Sequence, residues 1–205
     1  MATKTIVVLG GSFNPPTKAH VKLLESAVDQ LGASFGIFVP SSHNYVARKM
    51  SKQKEFKKLY SEETRLSMLK AICDEHPSLR VNTCEYGDDG RGHTYDTLCK
   101  IQKKFPDYKL IFVIGADKLT IVPRWRNGEA FFENFEFAVT HRSDINMEKV
   151  ISNNPVLTKY KHIFHEITVD ESVSNISSTA ARKYIEQHKT EQLTDILCPS
   201  TMEFI

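Results

Sequence analysis

The chain has 205 residues, 40% of them hydrophobic and 25% charged, which suits one domain able to bury about 70% of its unfolded surface without disulfide or metal staples. A net charge of +2 is too small for a dedicated nucleic-acid or membrane-surface binder. The four cysteines, Cys73, Cys84, Cys99 and Cys198, form no C-x-x-C pair and have no His at zinc-ligand spacing, so they read as reduced thiols.

Residues 1–4 pass straight into an apolar run, leaving no room for a signal sequence, and no stretch approaches the ~20 apolar residues of a membrane span. A cytoplasmic protein is expected, with the nucleus open. Residues 6–9 (Ile-Val-Val-Leu) have the continuous β-branched character of a strand buried on both faces. Gly10 and Gly11 predict a sharp turn and a close approach of backbone to ligand. Beyond Pro15 and Pro16, Val21, Leu24, Ala27, Val28 and Leu31 recur at helical spacing, so a helix starts near Thr17 or Lys18 with His20 in its first turn. Free backbone N–H groups, the positive end of the helix dipole and an imidazole then meet in one place, which suits phosphate oxygens. Each piece alone has a plainer reading, a tight turn or a capping His.

Phe35–Pro40 is a second short strand. Between Arg48 and Lys58 stand six cations (Arg48, Lys49, Lys52, Lys54, Lys57, Lys58) against one acid, Glu55. They read as a solvated loop and helix start, with Arg48 or Lys49 placed to close over a triphosphate. Ser61 with Glu62, Glu63 and Thr64 predicts a capped helix start, followed by an apolar stripe of Leu66, Met68, Leu69, Ile72 and Cys73. A third strand is expected within residues 79–85, and residues 87–92 are a loop.

His93 and Thr94 open a helix running towards Phe105, with Thr94 as a plausible N-cap. Residues 110–114 (Leu-Ile-Phe-Val-Ile) predict a central strand ending at Gly115-Ala116-Asp117. A carboxylate just past a central parallel strand lies where an open α/β sheet binds ligands, and ribose hydroxyls are natural donors to it; helix capping is the alternative. Trp125, the only tryptophan, sits among Arg124, Arg126, Asn127 and Gly128. That setting predicts an exposed loop with an indole able to stack on a flat heterocycle.

Two more strands are expected over residues 135–140, ending at His141-Arg142, and 163–169. Ser177, Ser178 and Thr179 then open a helix with Arg182 one turn on, offering hydroxyls and a guanidinium to an oxyanion; plain capping with a surface Arg is the other reading. Alternating strands and helices predict a single α/β domain over residues 1–205, a Rossmann-like doubly wound parallel sheet with helices on both faces.

Gly10-Gly11-Ser12-Phe13-Asn14-Pro15-Pro16-Thr17-Lys18-Ala19-His20, Thr94-x-x-Thr97-Leu98, Gly115-Ala116-Asp117 with Trp125 downstream, and Ile176-Ser177-Ser178-Thr179-x-x-Arg182 stand in one order that resembles the nicotinamide and nicotinate mononucleotide adenylyltransferases of the nucleotidyltransferase superfamily. Arg65-Leu66-x-Met68 and the C-terminal residues fit as well. The superfamily's (H/T)-x-G-H appears as Thr17-Lys18-Ala19-His20, with Ala where Gly is usual.

The resemblance implies transfer of AMP from ATP to a pyridine mononucleotide, with Mg²⁺ bound through the ATP phosphates. It implies ATP contacts at Gly11, Ser12, Phe13, Thr17, His20, Arg48, Lys49, Gly115, Asp117, Ser178, Thr179 and Arg182. His20, Arg182 and Lys49 would stabilise charge, and Ser12, Phe13, Thr94, Trp125 and Arg142 would take the pyridine nucleotide. No metal ligand, nucleic acid or membrane is implied, and a homo-oligomer is left open. The rival readings are a pantetheine-phosphate adenylyltransferase and a nucleotide-sensing module without turnover. A phosphate nucleophile is already ionised at neutral pH, so the reaction calls for alignment and charge neutralisation, not a general base.

Overall fold

The computed structural model describes residues 4–52, 58–87, 93–140, 145–173 and 175–205. In chain order the elements are β1 (Lys4–Gly11), α1 (Lys18–Gln30), β2 (Phe35–Pro40), α2 (His43–Ser51), α3 (Glu62–Glu75), β3 (Leu79–Val81), α4 (Thr94–Lys104) and β4 (Tyr108–Gly115). They continue with α5 (Gly128–Asn134), β5 (Glu136–Thr140), α6 (Met147–Ser152), α7 (Pro155–Lys159), β6 (Phe164–Ile167), α8 (Ser178–Glu186), α9 (Thr190–Ile196) and α10 (Pro199–Met202). The strands form one parallel sheet in the order β3-β2-β1-β4-β5-β6. This is the expected doubly wound arrangement, and its strand order reverses between β1 and β4.

Alternate residues of β1 serve opposite sides of the sheet. Ile6 and Val8 join a core with Leu98, Ile101 and Phe131 from α4 and α5. Val7 and Leu9 join another with Leu24, Val28, Leu69 and Ile72 from α1 and α3. A strand covered on both faces must be apolar throughout, which is why β1, β2 and β4 are uninterrupted hydrophobic runs. Gly36 in β2 permits the contact with α1, because a Cβ there would lie 2.6 Å from Leu24 Cγ. Gly36→Ala would force a shift of the kind that costs about 1–3 kcal/mol in a packed core.

The cleft opens where two strands part. β1 pairs with β4 only as far as Val8 and Phe112. It stays with β2 out to Gly11 and Pro40, while β4 stays with β5 out to Gly115 and Thr140.

Local departures from the expected elements have physical reasons. Gly10 and Gly11 extend β1 instead of turning, and the left-handed residue is Phe13, at φ 43°. Its ring lies against Gly11, where a Cβ would come within 3.0 Å of Phe13 Cζ. The basic stretch is partly helix α2, anchored by buried Val46 and Met50 and capped by Ser42, whose hydroxyl accepts from Tyr45 N. The predicted third strand is only three residues long. His93, not Thr94, is the N-cap residue of α4. Helices α5, α6 and α7, not anticipated from the sequence, carry core contacts through Phe131, Phe132, Ile151 and Leu157. Residues 88–92 and Arg142 lie outside the described residues. No helix among the described residues is long and apolar enough to cross a membrane.

Candidate nucleotide-binding site

The segment between β1 and α1 is held from behind by its carbonyls. Arg65 NH1 on α3 donates to Ser12 O at 2.8 Å, Arg182 NH1 on α8 donates to Asn14 O at 2.8 Å, and Ser178 Oγ donates to Pro15 O at 2.8 Å. The buried Asn14 side chain adds two links: Nδ2 donates to Lys58 O and Oδ1 accepts from Tyr60 N, both at 2.9 Å. A loop whose carbonyls are tied inward cannot collapse into the opening above it, and it stays preorganised for a ligand.

At the start of α1, Thr17 is fully buried and caps the helix. Its backbone N–H donates to His20 Nδ1 at 3.0 Å, and its hydroxyl lies 2.8 Å from the same nitrogen. The His20 ring meets the Phe13 ring edge-on, 5.1 Å between centroids.

Lys49, in the last turn of α2, brings its ammonium to 3.3 Å from Ser12 Oγ. Desolvation in the opening, followed by the like charges of Arg182 and Lys118, holds the Lys49 pKa below the usual lysine value. Arg182 is 3% exposed, and burial lowers its pKa too. Lys118 and Arg182 lie close enough to Lys49 to disfavour its charge, and such a convergence of cations favours anions.

From the other side of the opening, Gly115 ends β4 and Asp117 follows in a short 3₁₀ turn, Ala116–Lys118. Asp117 does not cap that turn. Its carboxylate folds over Gly115, where a Cβ would lie 2.4 Å from Asp117 Oδ1, and it pairs with Lys118 Nζ at 2.8 Å. Gly115 is therefore fixed by the carboxylate lying across it.

These groups line one cleft of about 560 Å³ that contains Gly11, Ser12, Phe13, His20, Lys49, Thr94, Gly115, Asp117, Trp125, Ser178, Thr179 and Arg182. Thr17 lies beneath it as a cap, and Arg48 stacks over the Tyr45 ring at 5.7 Å, so neither is among the lining residues. Of the two basic candidates on α2, Lys49 is the one that reaches the cleft. Tyr45, Phe112, Lys118 and Thr140 also line it and were missed in the sequence. Lys118 adjoins Asp117 and was open to the same reasoning; Tyr45 required knowing that α2 exists.

A second, more apolar hollow joins the first at Tyr45, Thr94, Lys118 and Trp125. Trp125 is half-buried, not loosely exposed as expected, and its ring packs edge-on against Phe131 at 5.8 Å. One side of the indole serves the core while the residue borders both hollows. Thr94 stands at the first position of α4. Thr97, one turn later, donates to Glu85 Oε1 at 2.8 Å, so its hydroxyl serves the wall of the adjoining recess.

The sequence profile described as cytidylyltransferase-like matches residues 8–184. A relative from Lachnoclostridium phytofermentans, named probable nicotinate-nucleotide adenylyltransferase, is 28% identical over 185 residues, covering 90% of this chain and 88% of its own. The nicotinate-nucleotide adenylyltransferase of Bacillus subtilis is 25% identical over 200 residues, covering 98% and 94%. Among solved structures, Plasmodium falciparum nicotinic acid mononucleotide adenylyltransferase complexed with NaAD superposes with a TM-score of 0.71 at 20% identity, over 98% of this chain and 94% of that one; at that identity the likeness speaks for the fold. The profile match begins inside β1 and ends inside α8, enclosing every lining residue of the cleft, and the chain belongs to the cytidylyltransferase-like family.

Proposed function

We propose that this chain is a nicotinate-nucleotide adenylyltransferase, moving AMP from ATP to the phosphate of nicotinate mononucleotide with release of pyrophosphate. The observation that carries this reading is the convergence of His20, Lys49, Asp117 and Arg182 on one cleft at the β1–β4 switch point. The names of the Lachnoclostridium and Bacillus relatives support the reaction and the acid form of the acceptor. A Plasmodium neighbour of like fold was solved with NaAD, the dinucleotide such a reaction makes.

An acceptor phosphate oxygen attacks the α-phosphorus of ATP. The new P–O bond forms as the bond to the bridging oxygen breaks, and the electron pair leaves with pyrophosphate. No proton has to be removed from the nucleophile, so the residues act by alignment and charge stabilisation. His20 and Lys49 donate to the phosphates, and Arg182 holds its charge beneath them while it braces the loop through Asn14 O. Asp117 receives ribose hydroxyls on the carboxylate that lies across Gly115, where a larger residue would displace it. Trp125 and Thr94 take the pyridine ring and its carboxylate in the adjoining hollow.

Among the described residues no group of three or more His, Cys, Asp or Glu is placed to hold a metal ion. Cations and donors with one lysine-paired carboxylate fit a magnesium ion that would arrive on the ATP phosphates and would screen their charge there. Offering ATP and Mg²⁺ with nicotinate mononucleotide, nicotinamide mononucleotide or phosphopantetheine, and scoring pyrophosphate and dinucleotide, tests the proposal. The acid mononucleotide should give the highest kcat/KM. Turnover confined to phosphopantetheine, or tight ATP binding with no turnover, would replace it.

A further inference from the structure

Arg65 belongs to the Arg65-Leu66-x-Met68 motif, and the proposed reaction leaves it without a task. It is 0% exposed, although charged side chains are almost never fully buried unless paired. No carboxylate among the described residues pairs with it; NH1 donates to Ser12 O and NH2 to Ser41 O, both at 2.8 Å. Nε has no partner among the described residues, and the guanidinium carbon sits 5.7 Å from the Tyr86 ring centroid. An apolar side chain of similar volume would fill the space without desolvating a charge, but it would leave Ser12 O and Ser41 O without these donors, so what the guanidinium supplies is its hold on those two carbonyls.

The two carbonyls belong to different segments: Ser12 lines the cleft and Ser41 the adjoining recess. Ser12 follows β1 and opens the signature loop. Ser41 follows β2 and directly precedes Ser42, the cap of α2. Helix α2 carries Lys49, whose ammonium meets Ser12 Oγ. Ser41 N also donates to Gly11 O at 2.9 Å. One guanidinium therefore spans the loop presenting backbone donors and the strand end that launches the phosphate-facing lysine. The planar fork of Arg can hold two acceptors in fixed relation, which a single lysine ammonium does not reproduce.

We propose that Arg65 is a positioning residue for AMP transfer, fixing the signature loop and the Lys49 helix at the spacing the triphosphate requires without touching substrate. This rests on the reaction proposed above. Arg65→Met and Arg65→Lys, assayed with ATP and nicotinate mononucleotide beside the wild type and followed by urea unfolding, test it. A misplacement of about 1 Å costs on the order of 100-fold, so Arg65→Met should lower kcat by about that factor, with the KM of nicotinate mononucleotide little changed. Arg65→Lys should recover part of the loss.

A merely structural residue would shift the unfolding midpoint and leave kcat per folded molecule at the wild-type value in both variants, and that result overturns the assignment. Should Arg65→Met not fold, Arg65→Lys decides alone: reduced kcat in a folded protein supports the assignment and unchanged kcat overturns it. Absence of dinucleotide from the wild type overturns the reaction and this assignment together, whereas a working wild type with unimpaired variants overturns only the latter.

Discussion

Thr17 and His20 close a small ring at the head of α1, in which the Thr17 backbone N–H donates to His20 Nδ1 at 3.0 Å. A backbone amide only donates, so Nδ1 is the unprotonated nitrogen and the neutral ring carries its proton on Nε2. The spacing is that of a capping box, with His where Glu or Gln is usual. One contact thus starts the helix and sets the tautomer of the imidazole in the cleft.

His20→Ala should lower kcat by about 10²–10³, the range for losing one preorganised donor to developing charge, and should lower stability by about 1 kcal/mol for the lost cap. His20→Gln separates the two effects, because Gln can still accept from Thr17 N. Steady-state kinetics and urea unfolding should show stability recovered in the Gln variant and activity not recovered. Near-normal kcat in either variant removes His20 from the chemistry.

Lys49 supplies a pH signature. Its pKa lies below the ordinary lysine value through desolvation first, then through Arg182 and Lys118. Its charge is therefore lost at a lower pH than that of a free lysine, and phosphate affinity should fall with it. In the folded protein the lowered value means that the charged form is disfavoured; this disfavour lessens as pH rises through the folded pKa towards the unfolded one. The KM for ATP should climb on the alkaline side in the wild type and stay flat to higher pH in Lys49→Arg. Superimposable profiles would show that Lys49 does not meet the phosphates.

Trp125→Ala should raise the KM of nicotinate mononucleotide more than that of ATP, by about tenfold for a stacking contribution of about 1.4 kcal/mol. Some stability should also go, because the ring packs on Phe131. An equal effect on both substrates would argue against stacking on the pyridine.

Glu136 makes a prediction about the fold. It stands at the start of β5 between Lys109 of β4 and His165 of β6 and pairs with both. Burial pushes its carboxyl up, but the hydrogen bonds and charges of Lys109 and His165 together hold it below the usual range. A depressed carboxylate contributes stability that is full above the unfolded pKa and lost as pH falls through the folded one. Urea unfolding should show Glu136→Gln weaker by about 1 kcal/mol at neutral pH, with the gap closing as pH drops below about 4. A gap independent of pH would contradict the ion-pair account.

The sheet was legible where burial on both faces forces an unbroken apolar run: β2 has its expected limits, and β1 and β4 contain the expected ones. Helices α1 and α8 start near their predicted positions because proline and hydroxyl residues punctuate them. Helix α2 was not legible, since a short helix anchored mainly by Val46 and Met50 leaves too little apolar periodicity among its cations. The charges of the site could be read from residue type, but their partners could not. Arg182 and Ser178 appeared as groups for oxyanions, yet both also grip backbone carbonyls of the signature loop. Arg65 sits inside an ordinary helical pattern, and nothing local in the sequence distinguishes a fully buried arginine from a surface one.

In the proposed reaction this cleft joins the α-phosphate of ATP to the phosphate of a pyridine mononucleotide. ATP labelled at its α-phosphorus, mixed with Mg²⁺ and nicotinate mononucleotide, follows that bond directly. Label should appear in the dinucleotide in one-to-one ratio with pyrophosphate released, and both products should form about 10²–10³-fold more slowly in His20→Ala. Label recovered as free AMP, or left in ATP despite saturated binding, would contradict it.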